Sequence, residues 1–365
     1  MTQPYGLTTR VLNVVRTFTA RRPTYVVLFV TGRCNSRCRM CFNWQLAEDA
    51  GMREELTVEE YEQIAKSLGH VQQLTLSGGE PSLRDDLVDI VRAFYRRNRI
   101  PQVTYPTNGL MPERIQRQVR ELCESCPRTV FKMSVSIDGI GELHDNIRGL
   151  PGSFEKALHT YDLLDELRHE YPNMTLSSCT TFSALNQDVI EDVLAYKASR
   201  MDLDANGITL VRGDVRDPAT LQFSRERYRE LLPRIAELTR DLKSEPESWA
   251  FRSLYRLTSE RTLARLDQAR RSEPCVAGRR GIVITDIGDV LPCEPLNVSL
   301  GNLRDNGYDV MRVLGSEKAQ EVLRSISAGE CTCTWECAIL SSLVFSPREY
   351  PRVSVSMLRD LIGRR

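Results

Sequence analysis

Residues Val30–Trp44 read VTGRCNSRCRMCFNW, with Cys34, Cys38 and Cys41 in a C-x3-C-x2-C spacing. The run follows a strand-like stretch, Thr24–Thr31, rich in β-branched and aromatic residues. Three thiolates in so short a loop can wrap one face of a cubane iron–sulfur cluster, leaving the fourth iron without a protein ligand. An open coordination position marks a catalytic rather than a structural site. Zinc would need a fourth Cys or His close by, and the first histidine of the chain is His70. Phe42 and Trp44 follow the third cysteine and are placed to shield a cluster from water.

From residue 24 onward strand and helix patterns alternate. Strands are expected at Thr24–Thr31, Gln72–Ser77, Gln102–Pro106, Thr129–Ile137, Met174–Phe182 and Gly207–Arg212, and helices near 57–69, 84–98, 112–124, 153–170 and 187–200. Such repeats give an α/β fold with a parallel sheet and outer helices, whose active groups gather at the carboxyl ends of the strands. The motifs sit at those ends. The second strand runs into Leu76-Ser77-Gly78-Gly79-Glu80-Pro81, whose glycines permit close backbone approach to a ligand. The third runs into Thr107-Asn108-Gly109. The fourth runs into Ser134-Val135-Ser136-Ile137-Asp138, where alternation sets Ser134, Ser136 and Asp138 on one face. His144-Asp145-Asn146-Ile147-Arg148-Gly149 comes next.

Together these stretches resemble the radical S-adenosylmethionine (SAM) superfamily over roughly residues 24–340. The resemblance implies a partial (β/α)6 TIM-like barrel and a [4Fe-4S] cluster held by Cys34, Cys38 and Cys41. Its open iron is chelated by SAM, which is cleaved reductively to a 5′-deoxyadenosyl radical that takes a substrate hydrogen. It implies SAM contacts at Phe42, Gly78, Gly79, Glu80, Asn108, Ser136, Asp138, Arg148 and Leu210, with Glu80 facing the amino group and Arg148 clamping the carboxylate. Thr180 and Asn186 match weaker family positions. His144 reads as a structural loop histidine. Arg212-Gly213-Asp214 reads either as a substrate contact or as a solvated turn.

Cysteines return at Cys275, Cys293, Cys331, Cys333 and Cys337. A β-hairpin turning at Ile287-Gly288-Asp289 separates the first two. This resembles the cysteine-rich SPASM or shorter twitch extension, which implies a second, auxiliary [4Fe-4S] cluster. Its ligands would be Cys275, Cys293, one of Cys331 and Cys333, and Cys337. Zinc is the alternative for four thiolates. Cys123, Cys126 and Cys179 read as ordinary thiols.

The expected organisation is a basic amphipathic helix over 1–23, the barrel over 24–222, a charged helical connector over 223–271, the cysteine-rich domain over 272–345 and a terminal helix over 346–365. The first helix suits either a membrane surface or one end of the barrel. Tyr228, Leu231, Leu232, Ile235 and Leu238 form a packing stripe in the connector.

The 365 residues carry 49 basic and 49 acidic side chains, so nothing in the balance calls for nucleic acid. Cysteines at metal-site spacing point to a reducing, cytoplasmic setting. No apolar run approaches the roughly 18–20 residues of a membrane span. A one-electron donor such as flavodoxin or ferredoxin is the implied partner. The chain ends Ile-Gly-Arg-Arg, without the Gly-Gly tail of the GTP cyclases. A leader-binding domain and a cobalamin domain are both expected to be missing. The expectation is therefore a small-molecule, sugar or lipid substrate that undergoes oxidation, epimerisation or carbon–carbon bond formation. A peptide maturase working with a separate leader-binding partner is the alternative.

Overall fold

The computed structural model describes residues 7–238, 248–267 and 275–362. Residues 1–6 of the expected first helix, parts of the connector (239–247 and 268–271), 272–274 and 363–365 lie outside the described residues. So do the side chains of Ile235 and Leu238.

Six parallel strands form the barrel: β1 (Tyr25–Thr31), β2 (Gln73–Gly78), β3 (Gln102–Thr107), β4 (Val130–Ser136), β5 (Met174–Phe182) and β6 (Ala205–Leu210). Each pairs with its sequence neighbour. Helices Val58–Leu68, Leu87–Asn98, Pro112–Ser125, Ser153–Glu170 and Ile190–Arg200 fill the connections. The strands alternate, as the sequence does. Leu74, Leu76, Val103, Tyr105, Phe131, Met133, Met174 and Leu176 point outward into a core shared with Ile64, Leu68, Phe94, Val119 and Leu164 of the helices. The intervening residues face the lumen.

Several expected boundaries moved, the helices expected from 84 and 187 starting at Leu87 and Ile190. The sixth strand begins at Ala205 and ends at Leu210, two residues earlier than the pattern suggested. That leaves Arg212 in the loop beyond the strand end. Glu142–Arg148, read only as a motif, forms a short helix whose cap, Gly149, has φ +67°.

The cysteine-rich tail does not form a separate sheet. Its hairpin, β7 (Gly281–Ile284) and β8 (Asp289–Leu291), turns at Gly288 with φ +91° as expected. β7 lies parallel to β1, and β9 (Gly301–Asn302) ends a nine-stranded sheet ordered β6-β5-β4-β3-β2-β1-β7-β8-β9. A six-stranded partial barrel leaves two open strand edges, and the tail covers the β1 edge. It is also bolted to the first outer helix. Arg304 meets Glu60 through two bonds, Nε to Oε1 at 2.7 Å and Nη2 to Oε2 at 3.0 Å, and the Tyr308 hydroxyl donates to Glu60 at 2.9 Å. Glu60 closes the capping box with Thr57 that starts the helix.

These donors, Arg304 foremost, hold the Glu60 carboxyl at about 2, against an ordinary 4.5. Its folded-state value is depressed. Its contribution is therefore present above about pH 4.5 and is lost as pH falls toward 2. Glu60→Gln is expected to lower stability at neutral pH by on the order of 3 kcal/mol and to change little near pH 2. Urea unfolding at both pH values checks this, and an equal loss at the two would contradict it.

Candidate active site

The loop leaving β1 is tied down at both ends. Ser36 donates its hydroxyl to the Arg148 carbonyl at 2.8 Å, and Arg39 N–H reaches the Ile147 carbonyl at 2.9 Å. The Gly-Gly turn after β2 is pressed against the other side. Gly79 N–H donates to the Thr31 carbonyl and Glu80 N–H to the Arg33 carbonyl, both at 2.8 Å. A Cβ on Gly79 would overlap the Arg33 carbonyl, and Gly78 sits at φ +105° against Thr31. The backbone these glycines approach is thus the cysteine loop itself, a reason the sequence alone did not show.

Cys34, Cys38 and Cys41 are free thiols that line one cavity of about 260 Å³. Phe42, Gly78, Gly79, Glu80, Asn108, Ser136, Arg148 and Leu210 also line it. Burial pushes the Cys34 and Cys41 thiols up, to about 12 and about 11.

Four donors occupy Glu80: Ser82 N–H (3.2 Å) and hydroxyl (2.7 Å), Thr107 hydroxyl (2.8 Å) and Asn108 N–H (2.8 Å). Burial still raises its pKa against the pull of these bonds. Glu80 therefore locks the second strand end to the third as well as facing the cavity. Asn108 donates to the Asn35 side chain at 2.8 Å, linking the third motif to the cysteine loop.

Two sequence assignments change. Asp138 is fully buried and absent from the cavity wall. One carboxylate oxygen accepts Thr181 N–H at 2.7 Å and the other meets Arg148 at 2.5 Å. Arg148 is therefore already paired with a carboxylate, and its second nitrogen lies 3.7 Å from the Cys38 sulfur. Asp138 positions Arg148 over the thiols instead of reaching SAM. Thr180 turns outward to the Ile137 carbonyl at 2.6 Å and accepts from Lys197 at 2.9 Å, while Thr181, one residue on, lines the cavity. Asn186 is buried, donating to the Asp138 and Thr181 carbonyls at 2.9 Å. His144 is structural as expected: its Nδ1 accepts Asp138 N–H at 3.2 Å, and burial lowers its pKa to about 4.

Arg212 proves more than a turn residue. Its guanidinium stacks 5.6 Å from the Phe42 ring, pairs with Glu336 at 2.9 Å and lies 3.9 Å from Glu294. Glu336 also accepts Leu210 N–H at 2.9 Å. Both glutamates adjoin tail cysteines, so the tail reaches the cavity rim. Sequence reasoning missed them because acid residues beside Cys293 and Cys337 carry no periodic signal. Asp214 accepts instead from Gln45 at 3.2 Å.

The tail thiols gather around Cys293, packed with Ala277, Trp335 and Ala338, with Cys275, Cys333 and Cys337 alongside. Burial pushes Cys293 up to about 12, and the Cys333, Cys275 and Cys331 thiols add to the rise. Cys337 stands at the edge of this group, toward Glu294, Arg212 and Tyr25. Cys331 and Cys333 both lie near Cys293, so the expected choice between them is not forced. Cys123 and Cys126 are buried in the helix layer. Cys179 faces the lumen, 3.8 Å from the Thr209 hydroxyl.

Unpaired thiols on one wall and backbone groups with small polar side chains on the other suit a cluster with a ligand on its open iron. The radical SAM superfamily profile matches residues 28–209, and an iron–sulfur cluster-binding domain, SPASM, matches 275–338. The chain belongs to the radical SAM superfamily. It is an enzyme that takes a [4Fe-4S] cluster and SAM, and its SPASM region takes auxiliary iron–sulfur, which settles the zinc alternative. The AdoMet-dependent heme synthase of Methanosarcina barkeri is 26% identical over 302 residues, 78% of this chain and 81% of the relative. The Fe-coproporphyrin III synthase of the same organism is 32% identical over 144 residues, 39% and 34% of the two chains. The structure of native anSMEcpe with bound AdoMet shares the fold at a TM-score of 0.60 and 15% identity, covering 92% of this radical SAM chain and all of the other.

Gly79→Ala is expected to prevent cluster assembly, because the added methyl forces the Arg33 carbonyl and the cysteine loop apart. Iron content after anaerobic reconstitution, about four irons below the native protein, checks it. Native iron content would contradict it. Cys34→Ala, Cys38→Ala and Cys41→Ala are each expected to abolish 5′-deoxyadenosine formation while sparing the tail's iron.

Proposed function

We propose that this enzyme removes a hydrogen from a small hydroxylated substrate (a small molecule, a sugar or a lipid headgroup) held in the barrel lumen. When bound, the cluster and SAM supply the 5′-deoxyadenosyl radical for that removal. The lining of the lumen carries the reading. Barrel interiors are ordinarily filled by bulky branched residues. Here β1 contributes bulky Val27 and Phe29, beside Thr75 and Ser77, but the register sets Thr104, Lys132 and Thr175 in one layer with Thr75, and Pro106, Ser134 and Ser177 one layer further toward the cavity. Hydroxyls on short side chains leave space and offer hydrogen bonds. Lys132 is the one basic residue in the six strands, and burial lowers its pKa. Such a lining favours hydroxyl groups and an anionic end, such as a carboxylate or phosphate.

The residues around this space have separate tasks. Tyr25 closes the lower end, within 3.4 Å of the Thr75 hydroxyl. Glu336, held by Arg212, closes the gap beyond β6 and keeps water from the lumen. Arg148, fixed by Asp138, holds positive charge beside the thiols. The relatives named for heme and Fe-coproporphyrin III, both small molecules, support a small-molecule substrate. Flavodoxin or ferredoxin in a reducing cytoplasm suits the electron requirement. Oxidation, epimerisation and carbon–carbon bond formation all fit the radical.

Deuterium transfer into 5′-deoxyadenosine, measured by mass spectrometry across deuterated sugars, lipid headgroups and peptides, tests the reading. Label from a hydroxylated small molecule or headgroup is expected, and label from a peptide alone overturns it. Lys132→Met is expected to raise KM for that substrate at least about tenfold, since a hydrogen bond to a charged group contributes about 1.5–3 kcal/mol, with iron content unchanged.

A further inference from the structure

Twelve large apolar side chains stand exposed among the described residues, and seven belong to the two terminal helices. Leu12, Val14, Val15 and Phe18 lie on Leu7–Thr19, and Tyr350, Val355 and Leu358 on Tyr350–Ile362. The first helix is mounted the wrong way round for a soluble surface. Thr17, 8% exposed, faces the barrel; its hydroxyl donates to the Asn13 carbonyl at 2.7 Å and lies 3.1 Å from the Gln72 side-chain amide. Val14 and Val15, 55% and 51% exposed, face water. An amphipathic helix normally buries its apolar stripe. On the last helix Ser356 is likewise buried, accepting from Arg256 at 2.7 Å, while Val355 and Leu358 point outward.

The two helices adjoin. The Phe18 ring lies 5.3 Å from Phe345, just before the last helix, and Arg280 covers Phe345 at 4.9 Å while donating to the Ala20 carbonyl at 2.6 Å. Basic residues frame the apolar one: Arg16, Arg21 and Arg22 on one side, Arg348, Arg352 and Arg359 on the other, all exposed. Residues 7–22 contain no acid, and Glu349 is buried against Arg261 at 2.8 Å. The chain as a whole is neutral, so this concentration of arginine is local.

We propose that this face docks on an anionic phospholipid bilayer, with both helices lying in the interface. Apolar side chains flanked by arginines match such a surface, whose negative charge draws basic residues toward it. A second copy across a two-fold axis would set these arginines against themselves. The first helix contacts Gln72 and Arg280, which precede β2 and β7, so the face lies at the barrel end opposite the SAM cavity. Docking therefore leaves the cavity mouth open to solution. The inference rests on no particular reaction.

Cosedimentation of the reconstituted full-length protein with phosphatidylcholine/phosphatidylglycerol vesicles tests it. Binding is expected to these vesicles, to fall in high salt and to be at least about tenfold weaker on pure phosphatidylcholine. The variant Leu12→Ser/Val14→Ser/Val15→Ser and the variant Val355→Ser/Leu358→Ser are each expected to lose at least about tenfold of it, with iron content and melting temperature unchanged. Val14→Trp is expected to shift its emission to the blue on those vesicles. No binding to anionic vesicles, or full binding by both serine variants, overturns the proposal. So does a dimer in sedimentation equilibrium that the serine variants convert to monomer, because the apolar face would then belong to a second copy.

Discussion

The Arg33 carbonyl occupies the space where any side chain at residue 79 would begin, and the site depends on that contact. Because the Gly-Gly turn touches the cysteine loop directly, two backbone hydrogen bonds join the ends of β1 and β2 beneath the thiols. Glu80 then extends the connection to β3 through Thr107 and Asn108, and Asn108 returns it to the loop at Asn35. From the other side Arg148 receives the loop on its carbonyl and is itself fixed by Asp138. Three thiols on an untethered loop would otherwise pay a conformational cost to converge. Here backbone groups and one buried carboxylate tie down the loop that carries them.

Much of this was readable from residue order. The cysteine spacing, the glycine pair, Asn108 and Ser136 are local signals, and strand alternation places each at a carboxyl end. The hairpin around Gly288 was equally local, since a tight turn between β-branched runs specifies itself. What escaped the sequence depends on long-range pairing. Asp138 and Arg148 look like two ligand contacts when read separately, and only their ion pair shows that one serves the other. Thr180 and Thr181 are indistinguishable as letters; the pleat decides which faces the cavity. Glu294 and Glu336 became visible only when the tail folded back on β6.

The tail does more than carry thiols. Its hairpin extends the barrel sheet beyond β1, Arg304 grips the first outer helix, and Glu336 stands beside the last strand with Arg212. Auxiliary thiols, cavity rim and barrel wall are therefore joined by direct contacts. A cluster assembled around Cys293 would be coupled mechanically to Arg212 and, through its stacking on Phe42, to the catalytic loop.

The bond from Leu210 N–H to Glu336 has a further consequence for the life of the chain in a crowded cell. An unclosed barrel ends in strands whose free amides invite pairing with strands of other molecules. One end of this sheet is the two-residue β9, too short to template anything. The other is β6, where a charged carboxylate takes an outward amide and a salt bridge stands in the way of an incoming strand. The same glutamate thus covers an edge that would otherwise stay open to pairing until the segment carrying Glu336 has folded back.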